Sequence, residues 1–135
     1  MLEHPPIEAP PPLADFCKRK ERKISRGREE IEARLDLHGM RQVEAHIALR
    51  RFLVSCYEKG HRTVLVITGK GAPGRQRDDE HGFLGRPETG VLRRNVPMWL
   101  AEPQLRQIVV SFTSAAVHHG GDGALYIHLR RPGRG

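Results

Sequence analysis

The sequence is poor in cysteine and in uninterrupted apolar stretches. Its two cysteines, Cys17 and Cys56, lie far apart with no C-x-x-C spacing. That excludes a cysteine-rich zinc module and a disulfide scaffold, and makes a reduced, cytoplasmic compartment the default. No run approaches the roughly 18 apolar residues needed to cross a bilayer. Residues 1–20 hold no apolar stretch ahead of a small-residue cleavage site, so neither a membrane span nor a secretory signal is expected. Hydrophobic residues make up 38% of the 135 and charged residues 29%. This is below the apolar share of a typical globular chain, and part of the sequence is expected to be solvated tail. Acids are the scarcer charge, 16 Asp and Glu against 23 Lys and Arg, for a net +7 at pH 7. The length fits one compact domain with a tail and is too short for two ordinary domains. No internal repeat is visible. Basicity of this size points to a polyanionic partner without saying which one.

The charge is unevenly placed. Residues 1–12 hold five prolines and can form neither a helix nor a central strand, so residues 1–16 are expected to be a disordered, partly extended tail. Residues 17–31 form a basic arm. Lys18, Arg19, Lys20, Arg22, Lys23, Arg26 and Arg28 stand against Glu21, a local charge of +6. Two readings stay open: a flexible, solubilising arm, or a phosphate-contacting one. If it neutralised about six phosphates of a single strand, log affinity would fall with log salt at a slope of about −4. A membrane-surface helix is disfavoured, because Leu13, Phe16 and Ile24 are too few to make an insertable face.

From residue 32 to 131 the pattern is that of a packed domain, with residues 132–135 a second disordered tail. Arg34 to His38 alternates polar and apolar with the period of a half-buried strand, and Gly39 ends it. Residues 41–59 carry Ala45, Leu49, Phe52 and Cys56 on one helical face, and Gly60 is a natural stop. Thr63–Ile67 is a continuous apolar, β-branched run typical of an interior strand. Residues 75–88 are polar and breaker-rich, which reads as an exposed, mobile loop. Helical spacing resumes over 91–101 with Leu92, Val96 and Trp99 or Leu100, and Pro97 must kink that helix or mark its true start. Ile108–Thr113 and Ala124–Leu129 are two more strands. The order β-α-β-α-β-β predicts an α/β fold, a two-layer α/β sandwich on a mixed four-stranded sheet. Right-handed crossovers would put both helices on one face if strands 2 and 3 flank strand 1, leaving the other face partly open.

Leu35 and Leu37 share one face of the first strand, so Asp36 and His38 share the other. Their Cα atoms would lie about 6.5–7 Å apart, close enough for carboxylate and imidazole to meet. An imidazole titrates near neutral pH and a partner carboxylate biases its charge, which suits general acid–base work. Both Asp36–Gly39 and the loop Thr68–Gly74 leave the carboxyl ends of strands expected to be parallel, the edge where open α/β sheets bind ligands. Gly69-Lys70-Gly71-Ala72-Pro73-Gly74 fits G-x-G-x-x-G literally, yet a dinucleotide site needs a helix opening at the third glycine, and Pro73 with the polar run after it argues against one. One reading gives the glycines only a tight turn to make. Alternatively, Thr68, Gly69, Lys70 and Gly71 cradle a nucleic-acid phosphate, with Lys70 as a point charge. Arg93 and Arg94 are poorly placed for the dipole in their helix's first turn; phosphate contact explains them, with a solvated face as the rival.

Leu35-Asp36-Leu37-His38-Gly39-Met40, Ile67-Thr68-Gly69-Lys70-Gly71, Gly90-Val91-Leu92-Arg93 with Val96-Pro97-Met98-Trp99-Leu100, and Gly121-Asp122-Gly123-Ala124-Leu125-Tyr126 together strongly resemble the Smr (small MutS-related) domain family, and the basic arm is similar to that of its bacterial stand-alone members. The resemblance implies a fold like the C-terminal domain of bacterial translation initiation factor three. It further implies binding to DNA or RNA, often with endonuclease activity: members nick DNA or cut messenger RNA on stalled ribosomes. It ties cleavage to the Asp-Leu-His motif, here Asp36 and His38, with Gly39 beside them. The family's second motif commonly reads His-Gly-x-Gly, and Thr68 replaces its histidine. The expected partners are therefore nucleic acid and the ribosome, with no membrane, and the chain is expected to be a cytoplasmic monomer. The expected activity is that of an endonuclease, the alternative a non-catalytic nucleic-acid or ribosome-binding adaptor. No cofactor is required by these residues. A two-metal mechanism is not expected, since Asp36 is the one carboxylate firmly placed; Asp78, Asp79 and Glu80 would supply ligands only if their loop folds inward, and a single magnesium ion (Mg2+) is left open. On RNA the ribose 2′-hydroxyl could serve as nucleophile without metal.

Overall fold

A computed structural model describes residues 10–69 and 90–132. In chain order the elements are α1 (Lys18–Ser25), β1 (Ala33–Asp36), α2 (Gln42–Glu58), β2 (Thr63–Ile67), α3 (Val91–Leu100), α4 (Pro103–Arg106), β3 (Val109–Ser114), two short 3-10 turns (Val117–His119 and Gly121–Gly123) and β4 (Ala124–Leu129). The four strands form one mixed sheet in the order β1-β2-β4-β3. β1 runs parallel to β2, while β4 is antiparallel to both β2 and β3. This is the α/β architecture expected from the sequence, with one topological correction. Strands 2 and 3 do not flank strand 1, because β4 inserts between β2 and β3. The two crossovers step in the same direction across the sheet, and for right-handed connections that is what puts α2 and α3 on one side.

That side holds the larger core. Leu37, Val64, Val66, Leu125, Ile127 and Leu129 from the strand layer meet Ala45, Leu49, Leu53 and Cys56 of α2, Leu92, Val96, Trp99 and Leu100 of α3, and Leu105 of α4. α2 begins where the Glu44 carboxylate accepts the Arg41 N–H at 3.2 Å and stops at Gly60, whose φ of 82° continues past the last turn. α3 runs straight through Pro97 rather than starting there. The apolar anchors Trp99 and Leu100, 8% and 0% exposed, hold the turn that the missing proline N–H weakens. The four-residue α4 carries no period long enough to be read from sequence; a proline in its first turn and buried Leu105 make it.

The opposite face is not left open. Ile24 of α1, 1% exposed, packs with Leu65, Ala115, Ala124 and Tyr126, and Phe16, Ile31, Ile67 and Ala116 close around them. Leu13 reaches the main core, and the Ala14 N–H donates to the Val110 carbonyl at 2.9 Å, beside the irregular register between Val109 and Ser111. Residues 13–16, expected in a disordered tail, are thus docked by the same three apolar side chains that are too few to enter a membrane. Polar stitches finish the attachment. Lys20 pairs with Glu29 and donates to the Thr63 hydroxyl at 2.9 Å, which donates to Glu29 at 2.6 Å. Burial raises the Glu29 carboxyl, but the bonds from Lys20 and Thr63 outweigh it and hold it below its usual value. No helix among the described residues is long and apolar enough to cross a membrane.

His128 sits beneath this attachment, edge-on to the Phe16 ring at 6.4 Å and 3.3 Å from the Arg62 guanidinium. Burial, then the charges of Lys20 and Arg62, push its pKa down to about 4. Between about pH 6.5, where a free histidine titrates, and about pH 4, the unfolded chain takes up a proton that the folded one refuses. Stability must therefore fall as the pH falls through that window. The melting temperature is expected to drop on acidification across it, and His128→Gln should flatten that part of the profile. A wild-type profile already flat between pH 6.5 and 4.5 would contradict this account.

Candidate nucleic-acid interface

The end of β1 is built by one buried leucine. Leu37 is fully buried and its N–H donates to the Ile67 carbonyl at 2.7 Å, extending the parallel pairing one residue past the strand. Asp36 and His38 therefore turn to the face that carries α1. Oδ1 of Asp36 accepts the His38 backbone N–H at 3.0 Å and lies 2.7 Å from its Nδ1. The carboxylate accepts the Nδ1–H hydrogen bond, which leaves Nε2 as the ring nitrogen not held by Asp36. Burial alone would raise the Asp36 carboxyl, but the hydrogen bonds and charge of His38 outweigh it and hold it below the usual range. Both side chains remain half-exposed or more. Gly39 follows with φ +84° and open space around it, so backbone conformation rather than crowding calls for glycine there.

The turn after β2 is pinned against this pair. The Thr68 and Gly69 N–H groups both donate to the Gly123 carbonyl, at 2.8 and 3.0 Å. Gly69 has φ +86°, and a Cβ on it would stand 3.1 Å from the His38 Cβ. The two segments thus meet, as the parallel strand ends require. Thr68 is 7% exposed, and its hydroxyl faces the Gly69 and Gly123 carbonyls at 3.1 and 3.3 Å, so its side chain anchors the turn. Lys70 and Gly71 lie outside the described residues, as do the loop 75–88 and its acids. Arg93 approaches Asp122 at 3.8 Å and so borders the Gly123 end of the turn. Arg94 is exposed, with its guanidinium over Gly90 at the start of its own helix.

Six cations of the basic arm, Lys18, Arg19, Arg22, Lys23, Arg26 and Arg28, are exposed. Lys20 is not of their kind, being enclosed by Glu29 and Thr63. The helix that carries most of them lies over Leu65 and Tyr126. Arg34 and Asp36 occupy the same side of β1, paired with Leu65 and Ile67 of β2. Three contributors were missed in the sequence. Arg34 shares the Asp36 face by simple alternation and could have been found. Gly123 and Asp122 acquire their role only through the contacts of the Gly121–Gly123 turn. Among the described residues no three His, Cys, Asp or Glu side chains gather to hold a metal.

The fold and this constellation define an α/β domain with a strand-end Asp-Leu-His motif beside a glycine turn. A family model for the Smr domain matches residues 35–130, and the chain belongs to that family. Relatives include the ribosome rescue factor SmrB of Shewanella oneidensis, 30% identical over 106 residues that make up 78% of this chain and 49% of the relative. SmrB of Vibrio cholerae is 30% identical over 119 residues, 88% of this chain and 53% of the relative. The chain thus spans about half the length of these curated relatives. Among solved structures, the stand-alone small MutS-related protein YdaL of Escherichia coli aligns with a TM-score of 0.60 and 22% identity, covering 88% of this chain and 81% of that one. The Smr domain of Thermus thermophilus MutS2 aligns at 0.55 with 24% identity, covering 73% and 98%. At these identities the two structures speak to the fold.

Gly69→Ala should cost about 1 kcal/mol or more, since alanine resists positive φ, and should displace His38 by crowding its Cβ. Denaturant melts and the His38 ring resonances measure the two effects. Unchanged His38 shifts in a destabilised variant would show that the turn does not position the imidazole.

Proposed function

We propose that this chain binds nucleic acid at the ribosome, in the cytoplasm, across the sheet face that carries α1 and the Asp36–His38 pair. The observation that carries this reading is the packing of α1, with its exposed Lys18, Arg19, Arg22 and Lys23, on the same sheet face as Arg34 and the pair. A polyanion laid there meets ordered charge rather than a loose tail, and phosphates are the ligands that such a density of Lys and Arg recognises. Its relatives named as ribosome rescue factors support the ribosome as the setting. Gly39, the Gly69 turn and Arg93 would border the bound strand where it passes the pair.

A second reading, phosphodiester cleavage, is favoured by one specific contact, the 2.7 Å approach of Asp36 to His38 Nδ1. With Nδ1 held by the carboxylate, Nε2 is free to take the proton of a ribose 2′-hydroxyl as its oxygen bonds to the neighbouring phosphorus. The P–O5′ bond breaks, and the departing 5′-oxygen recovers a proton from the imidazolium or from water. Lys70 and Arg93 are the groups expected to balance the added negative charge, since the Thr68 and Gly69 amides are committed to the Gly123 carbonyl. On DNA the nucleophile would be water, with the same base.

Two variants separate binding from cleavage. Replacing Arg22, Lys23, Arg26 and Arg28 by alanine should reduce the salt slope of single-strand binding from about −4 by about 3, whereas Lys20→Ala should leave the slope alone and lower the melting temperature. An Asp36→Ala/His38→Ala protein should bind nucleic acid and sediment with ribosomes almost as wild type, and lose any cutting of labelled RNA or DNA. A slope indifferent to the four arginine and lysine replacements would overturn the binding surface. Absence of cutting by wild type, with binding intact, would leave the adaptor role alone.

A further inference from the structure

Beside the pair, on the same sheet face, stands a turn whose construction the binding of phosphates does not explain. Val117 is 85% exposed, and the adjoining His118 is exposed as well. The His118 and His119 rings lie with centroids 4.2 Å apart. Such a surface would ordinarily be floppy, yet this one is fixed from below. Tyr126 is completely buried, and its hydroxyl accepts the Ala116 N–H at 3.2 Å and meets His119 Nδ1 at 2.6 Å. This one hydrogen bond ties the His119 ring to the buried phenol, whichever of the two carries the shared proton. The backbone adds bonds from His119 and Gly121 N–H to the Ala116 carbonyl, at 2.8 and 2.9 Å. Burial, and then the charges of His118 and Arg34, lower the His119 pKa, which keeps the ring neutral at physiological pH.

The position is as informative as the rigidity. Ala116 packs with Ile67 and Ala124, which continue the cross-strand row that starts at Asp36. Ala124 thus lies about two strand spacings, roughly 10 Å, from Asp36, and the chain entering the turn bonds to it from the next strand over, through the Ala115 N–H. Arg34, two residues before Asp36 on the same face, is near enough for its charge to lower the His119 pKa. An exposed valine beside two imidazole rings on a hydrogen-bonded turn is matched to a flat, weakly polar ring. The neighbouring cations are matched to the phosphates attached to it.

Resting on the binding reading above, we infer that Val117, His118 and His119 form a stacking platform for a nucleobase adjoining the phosphate at Asp36 and His38. The substrate is then single-stranded, because bases in a duplex have both faces covered and only an unpaired base can lie on a side-chain platform. RNA and DNA share this chemistry.

The test uses the full chain and labelled oligonucleotides in fluorescence anisotropy at one salt concentration. The probes are single-stranded RNA, single-stranded DNA, a duplex of the same sequence, and a strand of equal length with abasic sites in place of its central bases. Val117→Ala/His118→Ala, both exposed positions, should leave the melting temperature unchanged and weaken single-strand binding about tenfold, within the range of one lost base stack. Affinity for the duplex and the abasic strand should not change, and His118→Trp should restore single-strand binding. Tyr126→Phe, which keeps the buried ring and releases His119, should give a smaller loss of the same kind. Equal single-strand affinity in wild type and the double variant overturns the platform while leaving the cationic surface standing. An equal loss on all four probes overturns it too, since the turn would then be acting through charge or fold. Wild-type protein that binds none of the probes removes the underlying binding reading together with the platform.

Discussion

The parallel register between β1 and β2 is the constraint on which everything else hangs. One hydrogen bond beyond the strand, from Leu37 to Ile67, sets His38 beside Gly69, and the burial of Leu37 fixes the side to which Asp36 and His38 turn. A slip of one residue would exchange the leucines with the acid and the imidazole. It would place an ion pair under α2 and α3 at a desolvation cost of several kcal/mol. The apolar demand of the helices on Leu35 and Leu37 is thus what exposes the reactive pair. The Gly123 carbonyl completes the arrangement by holding the Thr68 and Gly69 amides, so β4 positions the turn although it supplies no side chain to it.

The second organising feature is that the arm's charge is placed by a few apolar groups. Exposed cations contribute little to their own positioning, because surface ion pairs are worth at most about 1 kcal/mol and are screened by salt. Burying a side chain such as Ile24 is worth about 1.5–3 kcal/mol, and Leu13 and Phe16 add partial burial. The basic segment is therefore an integral layer of the domain, ordered before any partner arrives. An ordered cationic surface loses less conformational entropy on binding than a loose tail. The stitches through Lys20, Glu29 and Thr63 use one lysine of the arm for structure, which distinguishes it from its neighbours in a way that composition alone conceals.

Membership of the Smr family and the face shared by α1, the acid–imidazole pair and the Val117–His119 turn fit a single picture: a strand led by its phosphates along the arm and past β1. The two readings of its outcome, holding and cutting, differ only in whether His38 Nε2 meets a transferable proton there. Replacement of the family's second-motif histidine by Thr68 is accommodated sterically. The hydroxyl turns inward to the Gly69 and Gly123 carbonyls and adds no acid–base group.

Local periodicity sufficed for the strands at Thr63–Ile67 and Ala124–Leu129, the helix at Gln42–Glu58 and the common face of Asp36 and His38. These depend on side chains near in sequence and on an alternation that one buried leucine enforces. Strand order was beyond it, because nothing within β4 announces that it will separate β2 from β3. The docking of the arm was hidden for a related reason: three apolar residues spread over a polar segment make no periodic signal until a sheet face exists to receive them. Thr68 and Lys20 belong with these, since a hydroxyl or an ammonium is surface or scaffold according to which carbonyl or carboxylate stands opposite. The amino-acid order thus determined which groups could react, and tertiary contact decided which of them face a ligand, since burial is a property of pairs distant along the chain.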